Sequence, residues 1–264
     1  MTYGPVGIRC PDHATTGGKV AAPRRAARTA SRRLDLYGPF VTIALIGINV
    51  AVFVLELLMG GTLNGVGSWI YENGVLVLRA QVLPGGGIVP GVVSNSLPTI
   101  GVGEGEWWRL ITAPFLHYGP LHLGMNMLVL WFIGPALEEY FGHWRYLLVY
   151  VVSGLAGSAG ALIVSPGALT VGASGAIFGI MGAAVVLEAR RIWVFGGQAM
   201  GLVVINLALS FVISGVSIGG HIGGLIGGAA CALAFSSLRR NPALATLSMA
   251  AVGVVSIALA VSQA

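Results

Sequence analysis

Eight residues, Gly172-Ala173-Ser174-Gly175-Ala176-Ile177-Phe178-Gly179, stand at the head of an apolar stretch long enough to cross a bilayer. A single serine in a membrane helix ordinarily bonds back to a carbonyl one turn earlier and does nothing else. Three features set Ser174 apart. Gly172 and Gly175 flank it and allow close backbone approach, it lies near a helix N-terminus, and a distant apolar run opens on a histidine. That histidine is His221, in Gly220-His221-Ile222-Gly223-Gly224-Leu225-Ile226-Gly227-Gly228. A serine hydroxyl is a weak nucleophile until an adjacent base takes its proton, and His221 has the chemistry of that base. His122 and Asn126, spaced i and i+4 on one helical face, open a further apolar run. Together with the backbone N–H of Ser174 they are donors suited to a developing oxyanion, to which a helix N-terminus adds partial positive charge.

No acid completes a triad at the sequence level. Asp12 and Asp35, the only aspartates, lie near the N-terminus, and the second to sixth apolar spans are read as free of acids. The sequence therefore predicts a Ser–His dyad. The Gly-x-Ser-x-Gly elbow of soluble hydrolases is also missing, since Ala176 stands at its second glycine.

The elements that must position these groups are membrane helices. Of 264 residues, 56% are hydrophobic and 9% charged, against about 25% charged in a soluble domain. Apolar runs at about 39–59, 117–137, 146–165, 171–187, 193–213, 219–236 and 243–262 are each near the ~20 residues that span a bilayer. The fold class expected is an all-α polytopic bundle of seven transmembrane helices. A loop at about 60–110, mixed apolar and Gly-rich, reads as lying at the membrane interface, with Trp107 and Trp108 in the headgroup belt.

Of the fourteen Lys and Arg, all but Arg79 and Arg109 fall on one side of this arrangement. Positive residues mark the cytoplasmic face, so the N-terminus is expected inside and the Ser174 end outside. That distribution also explains the net charge of +5 without nucleic acid. Residues 1–38 read as a disordered basic tail. Within it Cys10-Pro11-Asp12-His13 offers too few ligands for a four-coordinate zinc, so neither a metal nor a cofactor is expected. Cys10 and Cys231 are not expected to pair.

With this topology, Ser174, His221, His122 and Asn126 reach similar depth from three separate helices. The spacing of Gly175, Gly179 and Gly182 on one helix, and of Gly224 and Gly228 beside His221 on another, predicts two small-residue stripes in contact.

At these residues the sequence resembles the rhomboid intramembrane serine proteases. The family's Gly-x-Ser-Gly is matched by Gly172, Ser174 and Gly175, its His-x-x-Gly-x-x-x-Gly by His221, Gly224 and Gly228, and its His-x-x-x-Asn by His122 and Asn126. Trp108-Arg109 matches the loop signature, and Gly134, Glu138 and Gly142 match a further pattern. The resemblance covers roughly 39–240 and implies a six-helix core, with 241–264 as an extra C-terminal helix. It implies Ser174 as nucleophile, His221 as general base, and His122 and Asn126 in the oxyanion hole. It also implies transmembrane proteins as substrates. Where many members have tyrosine one turn after the serine, this chain has Phe178, which keeps ring stacking on His221.

Two other classes compete. A transporter needs ionisable groups near the midplane and broken helices in repeated halves, whereas this cluster is shallow and hydrolytic in kind. A catalytically inactive rhomboid-like protein that binds membrane proteins would share the fold; the intact Ser174 and His221 tell against it. His117 and His143 read as interfacial, Asn206 as an interhelical hydrogen bond, Arg109 as a loop anchor, and Glu138 and Arg145 as fixing helix ends.

Overall fold

In a computed structural model the chain is described over residues 2–4, 7–9, 38–63, 67–84, 87–212 and 215–264. It divides into two units, Met1–Gly38 and Pro39–Ala264. In the first, strands β1 (Thr2–Gly4) and β2 (Gly7–Arg9) pair antiparallel, Thr2 opposite Arg9. The rest of the stretch read as a disordered tail, Cys10–His13 included, lies outside the described residues.

Among its described residues the second unit holds seven apolar helices: α1 (Phe40–Leu58), α2 (Gly119–Phe141), α3 (His143–Val164), α4 (Ser174–Ala189), α5 (Ala199–Val212), α6 (Ile218–Ser237) and α7 (Pro242–Val261). Five are long and apolar enough to cross a membrane; α4 and α5 are shorter, at 16 and 14 residues. At 1.5 Å per residue these two reach only ~24 and ~21 Å. The expected span at 193–213 is thus cut back at its start. The cause is Glu188, whose carboxylate accepts from the backbone N–H of Phe195, Gly197 and Ala199 at 2.8, 3.1 and 3.0 Å. A chain folded around a carboxylate in this way is not helical, and α5 begins only once the amides are satisfied.

Glu188 also corrects the reading that the second to sixth spans are free of acids. α4 carries Glu188, and α2 runs on to include Glu138 and Glu139. All three lie in the last turns, at the end of the bundle remote from Ser174. Glu138 accepts from Val41 N, Thr42 N and Thr42 Oγ1 at 2.7–2.8 Å and contacts His143 Nδ1 at 2.6 Å. A buried acid thereby holds the first turn of α1, where helix N–H groups lack partners of their own.

The centre is made by α3, α4 and α6. Residues 176–184 of α4 are all buried, as a helix apolar on every side must be. α1, α5 and α7 instead present outward-facing Val, Leu, Ile and Phe, including Ile48, Val54, Phe211, Leu247 and Val254. In hydrocarbon such faces cost nothing, and close packing falls to small residues. A methyl group on Gly224 would collide with the carbonyl of Gly175, and one on Gly228 with that of Gly179. The two predicted stripes are therefore in backbone contact. α3 supplies a third stripe, unremarked in the sequence: a methyl on Gly157 would lie 3.0 Å from Gly220 O and 3.1 Å from Gly175 Cα.

The α1–α2 loop is more structured than an interfacial segment. It holds short helices Trp69–Gly74 and Arg109–Thr112 and an antiparallel sheet, order β4-β3-β5, of β3 (Ala80–Val82), β4 (Ile88–Pro90) and β5 (Thr99–Ile100). Val75, Leu76, Val77, Ala80 and Val102 form its buried interior. Arg109, fully buried, binds Glu106 Oε2 at 2.7 Å and the carbonyls of Glu72 and Val75 at 2.9 Å, which makes it the anchor expected. Strands of two or three residues are too short to show periodicity, which is why the sheet was not legible.

Candidate active site

The α1–α2 loop reaches the segment that leads into Ser174. Leu76 and Thr170 exchange backbone hydrogen bonds of 3.0 and 2.8 Å, Gly172 N donates to Ala113 O at 3.0 Å, and Tyr118 Oη donates to Leu169 O at 2.8 Å. The chain is thus fixed at three points within the five residues before the serine. At the last of them Gly172 has φ +121°, a region that side chains rarely adopt. α4 then begins at Ser174, whose hydroxyl faces the ring of His221 on α6.

Ser174 Oγ and His221 Nε2 are 2.8 Å apart. Phe178, one turn into α4, stacks on the imidazole with centroids 4.1 Å apart and planes 18° from parallel. His221 is nearly fully buried. The predicted nucleophile, base and supporting ring are therefore brought together, and Gly175 and Gly224 form the contact that sets the helices at this distance.

His122 and Asn126 arrive from α2 over Gly172. A methyl built there would lie 2.9 Å from His122 Nε2 and 3.7 Å from Asn126 Nδ2. His122 Nδ1 accepts from Tyr118 N at 3.2 Å, so in the neutral ring the hydrogen belongs on Nε2, the nitrogen nearest Gly172. Asn126 gives one amide hydrogen to His122 O at 3.1 Å and keeps the second. Both groups hold a free donor on the Gly172 side, and the first-turn N–H of Ser174 lacks a helical acceptor. All these groups line one cavity of about 840 Å³, whose walls also include Met125, Val129, Met181 and Leu209.

Several positions differ from their reading in the sequence. His117, at the edge of α2, is fully buried within the protein, its ring 5.1 Å from that of His122 and edge-on to it. Burial, with His122 as the second cause, pushes its pKa down from 6.5 to about 3. Among the described residues the amide of Asn206 donates within α5, to Leu202 O at 2.8 Å, and to no other helix. Ser210, unremarked in the sequence, reaches His221 Nδ1 at 2.7 Å from α5. Its one sequence signal is the i, i+4 pairing with Asn206, which is also the commonplace pattern of a back-bonded helical serine. Cys231 is buried ten residues beyond His221, too deep to replace Ser174. Among the described residues no group of three or more His, Cys, Asp or Glu is placed to hold a metal.

The site thus sets a hydroxyl against an imidazole nitrogen, at a helix N-terminus and beside two further donors, in a bundle of apolar helices. A rhomboid domain model matches residues 104–238, just over half of the chain, and the chain belongs to the rhomboid family. It is 34% identical over 182 residues to the rhomboid protease GluP of Bacillus subtilis, covering 67% of this chain and 31% of GluP. The putative rhomboid protease YdcA of the same organism is 40% identical over 119 residues, 45% of this chain and 60% of YdcA. RHOMBOID-like protein 4 of Arabidopsis thaliana is 33% identical over 153 residues, 54% of this chain and 38% of that protein. The chain thus spans less than two thirds of each of these relatives.

Proposed function

We propose that the protein is an intramembrane serine endopeptidase that uses Ser174 and His221 as a catalytic dyad. The observation that carries this reading is the 2.8 Å contact between Ser174 Oγ and His221 Nε2 at the start of α4. In the reaction Ser174 Oγ attacks the peptide carbonyl carbon and passes its proton to His221 Nε2. The oxyanion is received by the Ser174 N–H, His122 Nε2–H and the free amide hydrogen of Asn126. The C–N bond then breaks, and the leaving amine takes the proton from His221. Water, deprotonated by the same nitrogen, hydrolyses the acyl ester and restores the serine. Phe178 keeps the imidazole plane aligned throughout, and no metal or cofactor enters.

The substrates are single transmembrane segments. A helix holds its carbonyls in internal hydrogen bonds, and in lipid those bonds open reluctantly because freed groups meet no water. Cleavage therefore favours segments whose site-side end carries Gly, Ala or other weak helix formers. The charge distribution supports an N-terminus in the cytoplasm and a cavity opening on the outer side.

The test is a serine-directed fluorophosphonate on the purified protein, read by mass spectrometry. Labelling of Ser174, lost in His221→Ala, is the expected outcome. A protein that is folded and unlabelled would instead have the catalytically inactive, membrane-protein-binding character of the rival reading.

A further inference from the structure

We propose that Ser210 is a positioning residue, which fixes the tautomer of His221 from the opposite side of the ring. The proposal rests on the reading of His221 as general base. An unpaired neutral imidazole has two tautomers, and only the one with a bare Nε2 can take the proton of Ser174. In soluble serine hydrolases a buried carboxylate on Nδ1 makes that choice. Among the described residues no carboxylate fills the place, and Ser210 Oγ stands 2.7 Å from His221 Nδ1.

A serine hydroxyl has a single hydrogen, so the direction of this bond depends on where that hydrogen goes. Ser210 Oγ donates it to Asn206 O, 2.9 Å away in the preceding turn of α5. The lone pairs of Oγ then face Nδ1, which must carry the ring hydrogen and donate. Nε2 is left bare toward Ser174. Donation runs one way along the whole chain, from Ser174 to His221 to Ser210 to the carbonyl of Asn206. Ser210 and His221 are both at least nine-tenths buried, so the contact is largely screened from bulk solvent. The back-bond that makes a helical serine unremarkable is here the contact that gives Ser210 its polarity.

The result is a tautomer choice made without a charge. A neutral acceptor orients the ring while adding no ion to a buried position, where an isolated carboxylate is costly. It also stabilises the imidazolium less than a carboxylate does, so the expected effect of its loss is smaller than that of losing a triad aspartate.

The experiment compares wild type, Ser210→Ala and Ser210→Thr in detergent, with histidine labelled with nitrogen-15 and His221 assigned by its absence in His221→Asn. Wild type should show His221 with a protonated Nδ1 and a bare Nε2. Ser210→Ala should give a mixture of tautomers and a kcat lower by about 10- to 100-fold, with KM little changed. Ser210→Thr, which keeps the hydroxyl and the back-bond, should restore both. A wild-type His221 protonated on Nε2 would overturn the proposal, as would a Ser210→Ala variant with unaltered tautomer and kcat. Should Ser210→Ala fail to fold, the wild-type tautomer still decides. The outcome is separable from the protease reading: a wild type that neither cleaves nor labels refutes the latter, whatever its tautomer.

Discussion

His122 and His221 line the same cavity with opposite hydrogen-bond polarity. Tyr118 N donates to Nδ1 of the first, leaving Nε2–H as a donor, while in the proposed tautomer Ser210 accepts from Nδ1 of the second, leaving Nε2 as an acceptor. On the proposed reading one ring stabilises negative charge and the other takes a proton. On this account Asn126 shares the oxyanion with two other donors and is not indispensable. Asn126→Ala should lower kcat by about 10²–10³-fold and leave activity measurable in a substrate-cleavage assay. His117, behind His122, is buried without charge. Because its folded pKa of about 3 lies below the ordinary 6.5, the unfolded chain binds a proton that the folded one does not. The contribution of His117 to stability is fully present above pH 6.5 and is lost as the pH drops toward 3, by at most about 1.4 kcal/mol per unit. Denaturation of wild type and His117→Gln across that window should show a shallower acid loss in the variant.

At the scale of elements, the site depends on how closely α4 and α6 approach. Gly224 meets the carbonyl of Gly175, so any side chain there must separate two backbones and with them Ser174 from His221. A misplacement near 1 Å costs about 10²-fold in a positioned site. Gly224→Val should depress cleavage and phosphonate labelling together, with Gly224→Ala intermediate and thermal stability recorded for both. Full activity in a folded Gly224→Val protein would show that the dyad does not rely on this contact. The two stripes were legible because glycine spacing and helical period together specify a face. The Ser174, His221, His122 and Asn126 constellation was legible for the same reason, the four groups lying near the start of three apolar runs. Features that depend on contacts between distant segments left no such pattern. Glu188 folding the chain before α5, the sheet in the α1–α2 loop, and the Ser210 contact all join groups whose types alone are commonplace. Helix ends were misjudged where acids cap them, since hydropathy sees a charged residue as the end of a span while Glu138 and Glu188 lie inside helices.

At the scale of the molecule, the α1–α2 loop and the central helices form a single device. The loop fixes the chain at Thr170, Gly172 and Leu169, the glycine contacts set α4 against α6, and α2 brings two donors over Gly172. All of this lies at one end of a multi-pass membrane bundle, and on the proposed reading the chemistry belongs near one membrane face, where substrates unwind. The most direct measurement is therefore cleavage itself. The purified wild-type protein and Ser174→Ala are reconstituted with a panel of labelled single-span proteins, and the products are mapped by mass spectrometry. A cut near one end of a transmembrane segment, richest in weak helix formers and absent with Ser174→Ala, is the expected result. A panel left intact by a protein that is folded, or one cut equally by Ser174→Ala, would contradict the account.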